Sequence, residues 1–113
     1  MKRALLVLLA ACGQPPLPID EYPCPTEGTQ HTYESFGRGF LSTHCNHCHN
    51  AAEGKRHGAP ESFRFDTIDD VRTHRARIFV RSAASNVTMP PGPDDPDSEE
   101  REALAEWLAC GAP

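Results

Sequence analysis

The sequence carries almost none of the signals that build a sheet. No stretch alternates apolar and polar residues over the length of a strand, and no Asn-Gly or Asp-Gly pair joins two such runs. Hairpins and β-sandwiches are therefore not expected. Aromatic residues are scarce at 7%, yet three of the eight, Tyr33, Phe36 and Phe40, crowd into one short segment. The apolar run Ala4 to Ala11 has eight residues, too few to span a bilayer. Basic charge is not in excess either: the net charge is −5, which makes nucleic acid a poor partner. No internal repeat is present. With 113 residues the chain supports one domain at most, and its loop-like stretches leave about 80 residues for a folded body. A domain of that size usually recruits a staple or a cofactor.

What is present begins with MKRALLVLLAAC. Lys2 and Arg3 form a positive n-region ahead of the apolar run, as in an export signal. Leu9-Ala10-Ala11-Cys12 is similar to a bacterial lipobox, in which the cysteine is lipidated and becomes the first residue. The alternative is an ordinary signal cleaved nearby. Loss of residues 1–11 leaves nine basic and sixteen acidic side chains, so partners with basic docking surfaces are favoured. Gly13 after the lipidated cysteine favours the outer membrane over the inner one, by resemblance to sorting patterns. Residues 12–32 contain a proline-rich stretch and read as an extended tether, with residues 33–113 as the domain.

Three helices are predicted in that domain. The first runs from about Tyr33 to Cys45, with Phe36, Phe40, Leu41 and His44 at helical spacing. The second starts at Thr67, which stands at capping-box spacing from Asp70, and runs to about Ala84. It carries Ile68, Val71 and Ile78 on one side and four arginines, Arg72, Arg75, Arg77 and Arg81. The third follows Pro96, with Asp97 or Ser98 as N-cap, the apolar stripe Ala103, Leu104, Trp107 and Leu108, and Gly111 as its stop. The fold class is a small all-α domain with long loops.

The chemistry concentrates in THCNHCHN, residues 43–50. Within it Cys45-Asn46-His47-Cys48-His49 is a C-x-x-C-H sequence, the pattern of c-type haem attachment. Two thiols three residues apart can add to the two vinyl groups on one porphyrin edge. The histidine that follows then supplies an axial nitrogen to the iron. Other readings fit less well. A structural zinc site wants a second Cys/His pair at matched spacing, which His57, His74, Cys24 and Cys110 do not form. A thioredoxin-like motif needs a βαβ setting, and a Cys45–Cys48 disulfide would constrain almost nothing.

Electron carriers commonly give haem iron a second axial ligand. With Met1 lost in the signal, Met89 is the one methionine left, forty residues after His49 and followed by Pro90, Pro91 and Pro93. Prolines stiffen such a loop, and thioether ligation raises the potential of a cytochrome c. His57, His74, His44 and His31 are the alternatives to Met89, and a core methionine is the bland one. His47, between the two cysteines, is read as solvent-facing, and His44 as helix surface or packing at the haem edge.

These residues resemble the class I, monohaem cytochromes c over about Tyr33 to Ala112. Gly37, Leu41, Cys45, Cys48 and His49 match the family's N-terminal helix, where the glycine admits a close crossing by the C-terminal helix. Leu104, Trp107 and Leu108 look like that helix's contribution. Gly58-Ala59-Pro60 resembles the turn whose proline carbonyl accepts from the proximal imidazole, which implies Pro60 as the partner of His49. Met89-Pro90-Pro91 resembles the distal methionine loop. The segment between Asn50 and Phe65 departs from the pattern, and Gly39 adds flexibility to a helix.

With Cys12 assigned to lipid and Cys45 and Cys48 to haem, Cys24 and Cys110 remain, as a disulfide or as free thiols in an oxidising compartment. The resemblance implies a periplasmic, membrane-anchored electron carrier with one covalent haem c per chain, serving redox protein partners. It implies no catalysis, because both axial positions are filled. The alternatives are a haem-based sensor or gas-binding module, in which Met89 is not bound, and a zinc-stabilised interaction domain.

Overall fold

A computed structural model describes residues 13–113; the signal segment and Cys12 lie outside the described residues. The described chain contains four α-helices and, among those residues, no strand. We number them α1 (Arg38–His44), α2 (Ile68–Thr73), α3 (Arg75–Ser82) and α4 (Ser98–Ala109). A π-helical turn, Tyr33–Gly37, leads directly into α1. No described helix is long and apolar enough to cross a membrane.

Local chemistry explains where these elements begin. Thr32, Thr67 and Asp97 each cap the residue three positions on, and Ser35, Asp70 and Glu100 reach back to complete a capping box. At the far end of α4, Gly111 takes φ +97°. Its N–H bonds Leu108 O, and Ala112 N–H bonds Trp107 O, which is the Schellman arrangement. Two arginines of the basic run close the same terminus. Arg75 donates to Leu108 O at 2.9 Å and Arg72 to Ala112 O at 3.1 Å, placing positive charge where the helix dipole is negative.

The second predicted helix is two helices in the structure. The chain departs from helical geometry at His74 (φ −102°, ψ 13°), between α2 and α3. Its ring lies 4.9 Å from Phe63 and 6.0 Å from Phe65, so the break sets an aromatic contact under the loop that follows His49.

The core is built where the N-terminal helical segment meets α4. Trp107, Leu104, Leu108, Leu41, Phe79 and Val71 are almost fully buried. Gly37 packs on the face of Trp107 so closely that an added Cβ would stand 2.5 Å from Cη2. Only a residue without a side chain permits that approach. The indole N–H donates to Pro113 O, so burying the ring leaves no donor unmatched.

The segment read as a tether is laid against this core from Leu17 to His31. Leu17 exchanges two hydrogen bonds with the Asn86 side chain. Tyr22 stacks 5.6 Å from Phe79 and donates to Glu102, and Thr29 donates to Glu106. Cys24 is joined to Cys110 by a disulfide with 4.8 Å between Cα atoms. Proline there does not mean freedom. Pro18 and Pro25 accept the bonds that close its two turns, one of them a single 3-10 turn at Ile19–Glu21, and Leu17, Tyr22, Cys24 and Thr29 make the contacts to the core.

Candidate cofactor-binding site

Each side chain of the site is placed by a different local device. Phe40, Leu41 and His44 face inward from α1, and the helix ends at Cys45. The chain then coils through Cys48 N–H to Cys45 O and His49 N–H to Cys45 O, so the two cysteines and His49 sit on one tight turn. His49 is fixed on three sides. Its Nδ1 lies 2.5 Å from Phe63 O, its carbonyl accepts from Phe65 N–H, and its ring stacks 4.6 Å from the Phe65 ring. With Nδ1 engaged by a carbonyl, the imidazole is set to offer Nε2.

The resemblance assigned that carbonyl to Pro60, and the structure gives it to Phe63. Pro60 lines the same cavity, but its own carbonyl accepts from Phe63 N–H at 3.0 Å. That bond closes a turn from Pro60 to Phe63, and the Phe63 carbonyl at its end meets His49.

A cavity of about 530 Å³ gathers the predicted residues. It is lined by Cys45, Cys48 and His49 from the turn after α1, by Ile78, Arg77 and Arg81 from α3, and by Met89 with Pro90 to Pro93 from the loop after α3. Its volume lies within the usual range for small-molecule and cofactor pockets. Met89 enters on a backbone held by its N–H to Arg81 O at 2.9 Å. His44 and His57 also line the cavity, and exposed His47 stands at its rim, 6.4 Å from His57. His74 and His31 do not line it: His74 packs behind Phe63, and His31 lies against Phe36 on the far side of the core.

The electrostatics of the turn bear on what the thiols can do. Burial, and then the neighbouring Cys48, push the Cys45 thiol up to about 12. A disulfide-exchange nucleophile needs the opposite, a thiolate stabilised near neutral pH. His44 is buried with Nε2 3.4 Å from Glu100, while its Nδ1 has no partner; Asn46 Oδ1 is likewise unmatched. Among the described residues no three His, Cys, Asp or Glu side chains converge as ligands for a metal ion.

The residues present therefore fit a haem better than a bare ion: two thiols on one turn, one tautomer-fixed imidazole, one thioether and a roomy cavity between segments. The sequence does not single out Phe63, Phe65 or Arg101, the residues that support His49 and the methionine loop: Phe63 and Phe65 carry no motif, and one arginine within an acidic helix start gives no local sign of burial. Its register with Leu104, Ala105 and Leu108 was the available signal. Compared with protein-family models, with curated proteins and with solved structures, the chain matches none.

Proposed function

We propose that the chain is a c-type cytochrome, exported and held to a membrane by lipid on Cys12, that carries single electrons between redox proteins. The observation that carries this reading is that Cys45, Cys48, His49 and Met89 line one cavity, although Met89 is forty residues beyond His49. When bound, the haem supplies a ferric/ferrous couple that accepts one electron from a donor protein and yields it to an acceptor.

The chain's own residues divide the remaining work. Cys45 and Cys48 would hold the porphyrin edge, their two thiols on one turn being the groups that thioether attachment to its vinyl substituents needs. His49 presents Nε2 because Phe63 O holds Nδ1. Met89 offers its sulfur from a proline-stiffened loop. Arg77 and Arg81 on the cavity wall suit the carboxylate substituents of a porphyrin. Two protein ligands leave no position for a substrate, so the role is carriage rather than catalysis.

The test is expression of the full chain with haem-maturation machinery. Colour that survives acid-acetone extraction, and that is lost in Cys45→Ser/Cys48→Ser, is the expected result. Met89→Ala should abolish the weak far-red sulfur-to-iron band. A colourless, zinc-containing product would defeat the whole reading, and an unchanged far-red band in Met89→Ala would defeat the ligand assignment.

A further inference from the structure

Arg101 is the one charged residue of α4 whose burial matches that of the core, at 4% exposure. It shares a helical face with Leu104, Ala105 and Leu108. Its guanidinium is spent on backbone. Nη1 donates to Ser82 O at 2.8 Å, to Asn86 O at 3.1 Å and to Met89 O at 3.0 Å. Ser82 is the last residue of α3, and Asn86 and Met89 belong to the segment that leaves it. Arg101's own carbonyl accepts from Ala84 N–H in the same segment.

That segment has no regular structure of its own, and Ala84 within it takes a left-handed φ of +53°. Apart from buried Ala83, its hold on the rest of the protein is a short set of hydrogen bonds, made by the Asn86 side chain, by the Ala84 and Met89 N–H groups and, with three carbonyls, by one buried cation. Among the described residues Arg101 forms no ion pair with a carboxylate, so its charge is met by carbonyl dipoles alone. Burying a guanidinium this way costs desolvation free energy. A hydrophobic side chain would pack there without that cost, but it would leave three carbonyls without this donor and the loop without its tie.

We propose that Arg101 is a positioning residue for Met89: it fixes the loop, and so sets how firmly the methionine sulfur keeps its place on the iron against competing ligands. This rests on the reading of Met89 as an axial ligand. The exchange it governs is a substitution without electron transfer, in which the Met89 sulfur–iron bond breaks as an incoming imidazole nitrogen bonds the same position. A loosened loop makes the return of the sulfur less favourable, and the competitor gains by that amount.

The experiment uses the full haem-loaded chain. Imidazole is titrated into the ferric protein while the far-red band is followed, and hydrogen exchange is measured at the Met89 amide, which bonds Arg81 O. Arg101→Gln should raise the apparent imidazole affinity about tenfold or more, the equivalent of one charge-assisted hydrogen bond lost from the ligand-bound state. It should also speed exchange at Met89. Arg101→Lys keeps the charge but not the planar fork, and should move both readings in the same direction by less. Arg75→Gln is the control. It removes another arginine-to-carbonyl bond, to Leu108 O at the opposite end of α4, and should lower stability while leaving both readings at their wild-type values. The proposal is overturned if Arg101→Gln leaves both at wild type, or if Arg75→Gln shifts them equally. Should Arg101→Gln fail to mature, Arg101→Lys decides alone, and no change in it overturns the proposal. An unaltered far-red band in Met89→Ala would defeat the ligand reading instead, and amide exchange would then still judge Arg101's hold on the loop.

Discussion

The core around α4, at the back of the molecule, and the cavity between the turn after α1, α3 and the Met89 loop, at its front, are finished to different degrees. At the back, the contacts are closed. Gly37 seats Trp107, the indole N–H has its carbonyl, and the Leu17–His31 strap is hydrogen-bonded and joined by a disulfide. In front, the cavity wall holds two thiols, a buried histidine with an unmatched nitrogen, and a methionine that protein contacts do not enclose. The difference teaches what each side is for. The back stabilises the chain by itself. The front leaves polar atoms unpartnered around an open cavity, and it is where the proposed haem would lie.

Substitutions at the back should therefore cost stability and leave the cavity's spectroscopy alone, and those in front should do the reverse. The largest stability effect is expected from the disulfide. Cys24 and Cys110 are 86 residues apart, and loop-closure entropy gives such a link about 4–5 kcal/mol. In Cys24→Ser/Cys110→Ser the unfolding free energy of the haem-loaded protein, extrapolated from urea denaturation, should fall by that much, with the far-red band unchanged in water. Loss of the band in a protein still folded by circular dichroism would show that the two sides are not separable.

Gly37→Ala comes next. The added methyl must displace the Trp107 ring, which is itself fully buried, and overpacking of that kind costs about 1–3 kcal/mol. Gly39, two positions on, has open space where its Cβ would go. Gly39→Ala should stabilise α1 by about 0.5–1 kcal/mol, because alanine loses less backbone entropy in a helix. The pair makes a sharp comparison: the same substitution, two residues apart, with opposite signs in thermal denaturation.

How much of this was legible in the sequence follows the same division. The helical starts at Thr67 and Asp97, and the stop at Gly111, could be read because caps are local and two or three residues suffice to mark them. C-x-x-C-H could be read because covalent chemistry fixes its spacing. The break at His74 could not, since nothing between Thr67 and Ala84 forbids a continuous helix. It depends on Phe63 and Phe65 arriving from a loop. The contacts of the strap were not legible for a related reason: a proline-rich composition argues against a long helix between Pro15 and Pro25, and says nothing of whether Leu17 will meet Asn86. The partner of His49 lies three residues from the proline that resemblance suggested, because the turn closed by Phe63 N–H to Pro60 O brings the Phe63 carbonyl to the ring, and that turn has no marker in the sequence.

The smallest effect tests the strap through pH. Tyr22 is raised to about 12 by burial first, then by its hydrogen bond to Glu102 and by the charges of Glu102 and Glu106. A phenol whose pKa is higher in the folded chain than in the unfolded one favours folding in its neutral form. Between pH 10 and about 12 the unfolded chain releases that proton first. The folded state binds more protons there, so stability falls as pH rises through this window, and below pH 10 the contribution is complete. Tyr22→Phe keeps the ring against Phe79 but has no proton to release, so its stability should be flatter from pH 10 to 12 than that of the wild type. Denaturation by urea at stepped pH measures this. An identical alkaline slope in the variant would mean that the Tyr22–Glu102 contact does not hold the strap in solution, and the back of the molecule would then be less closed than its geometry indicates.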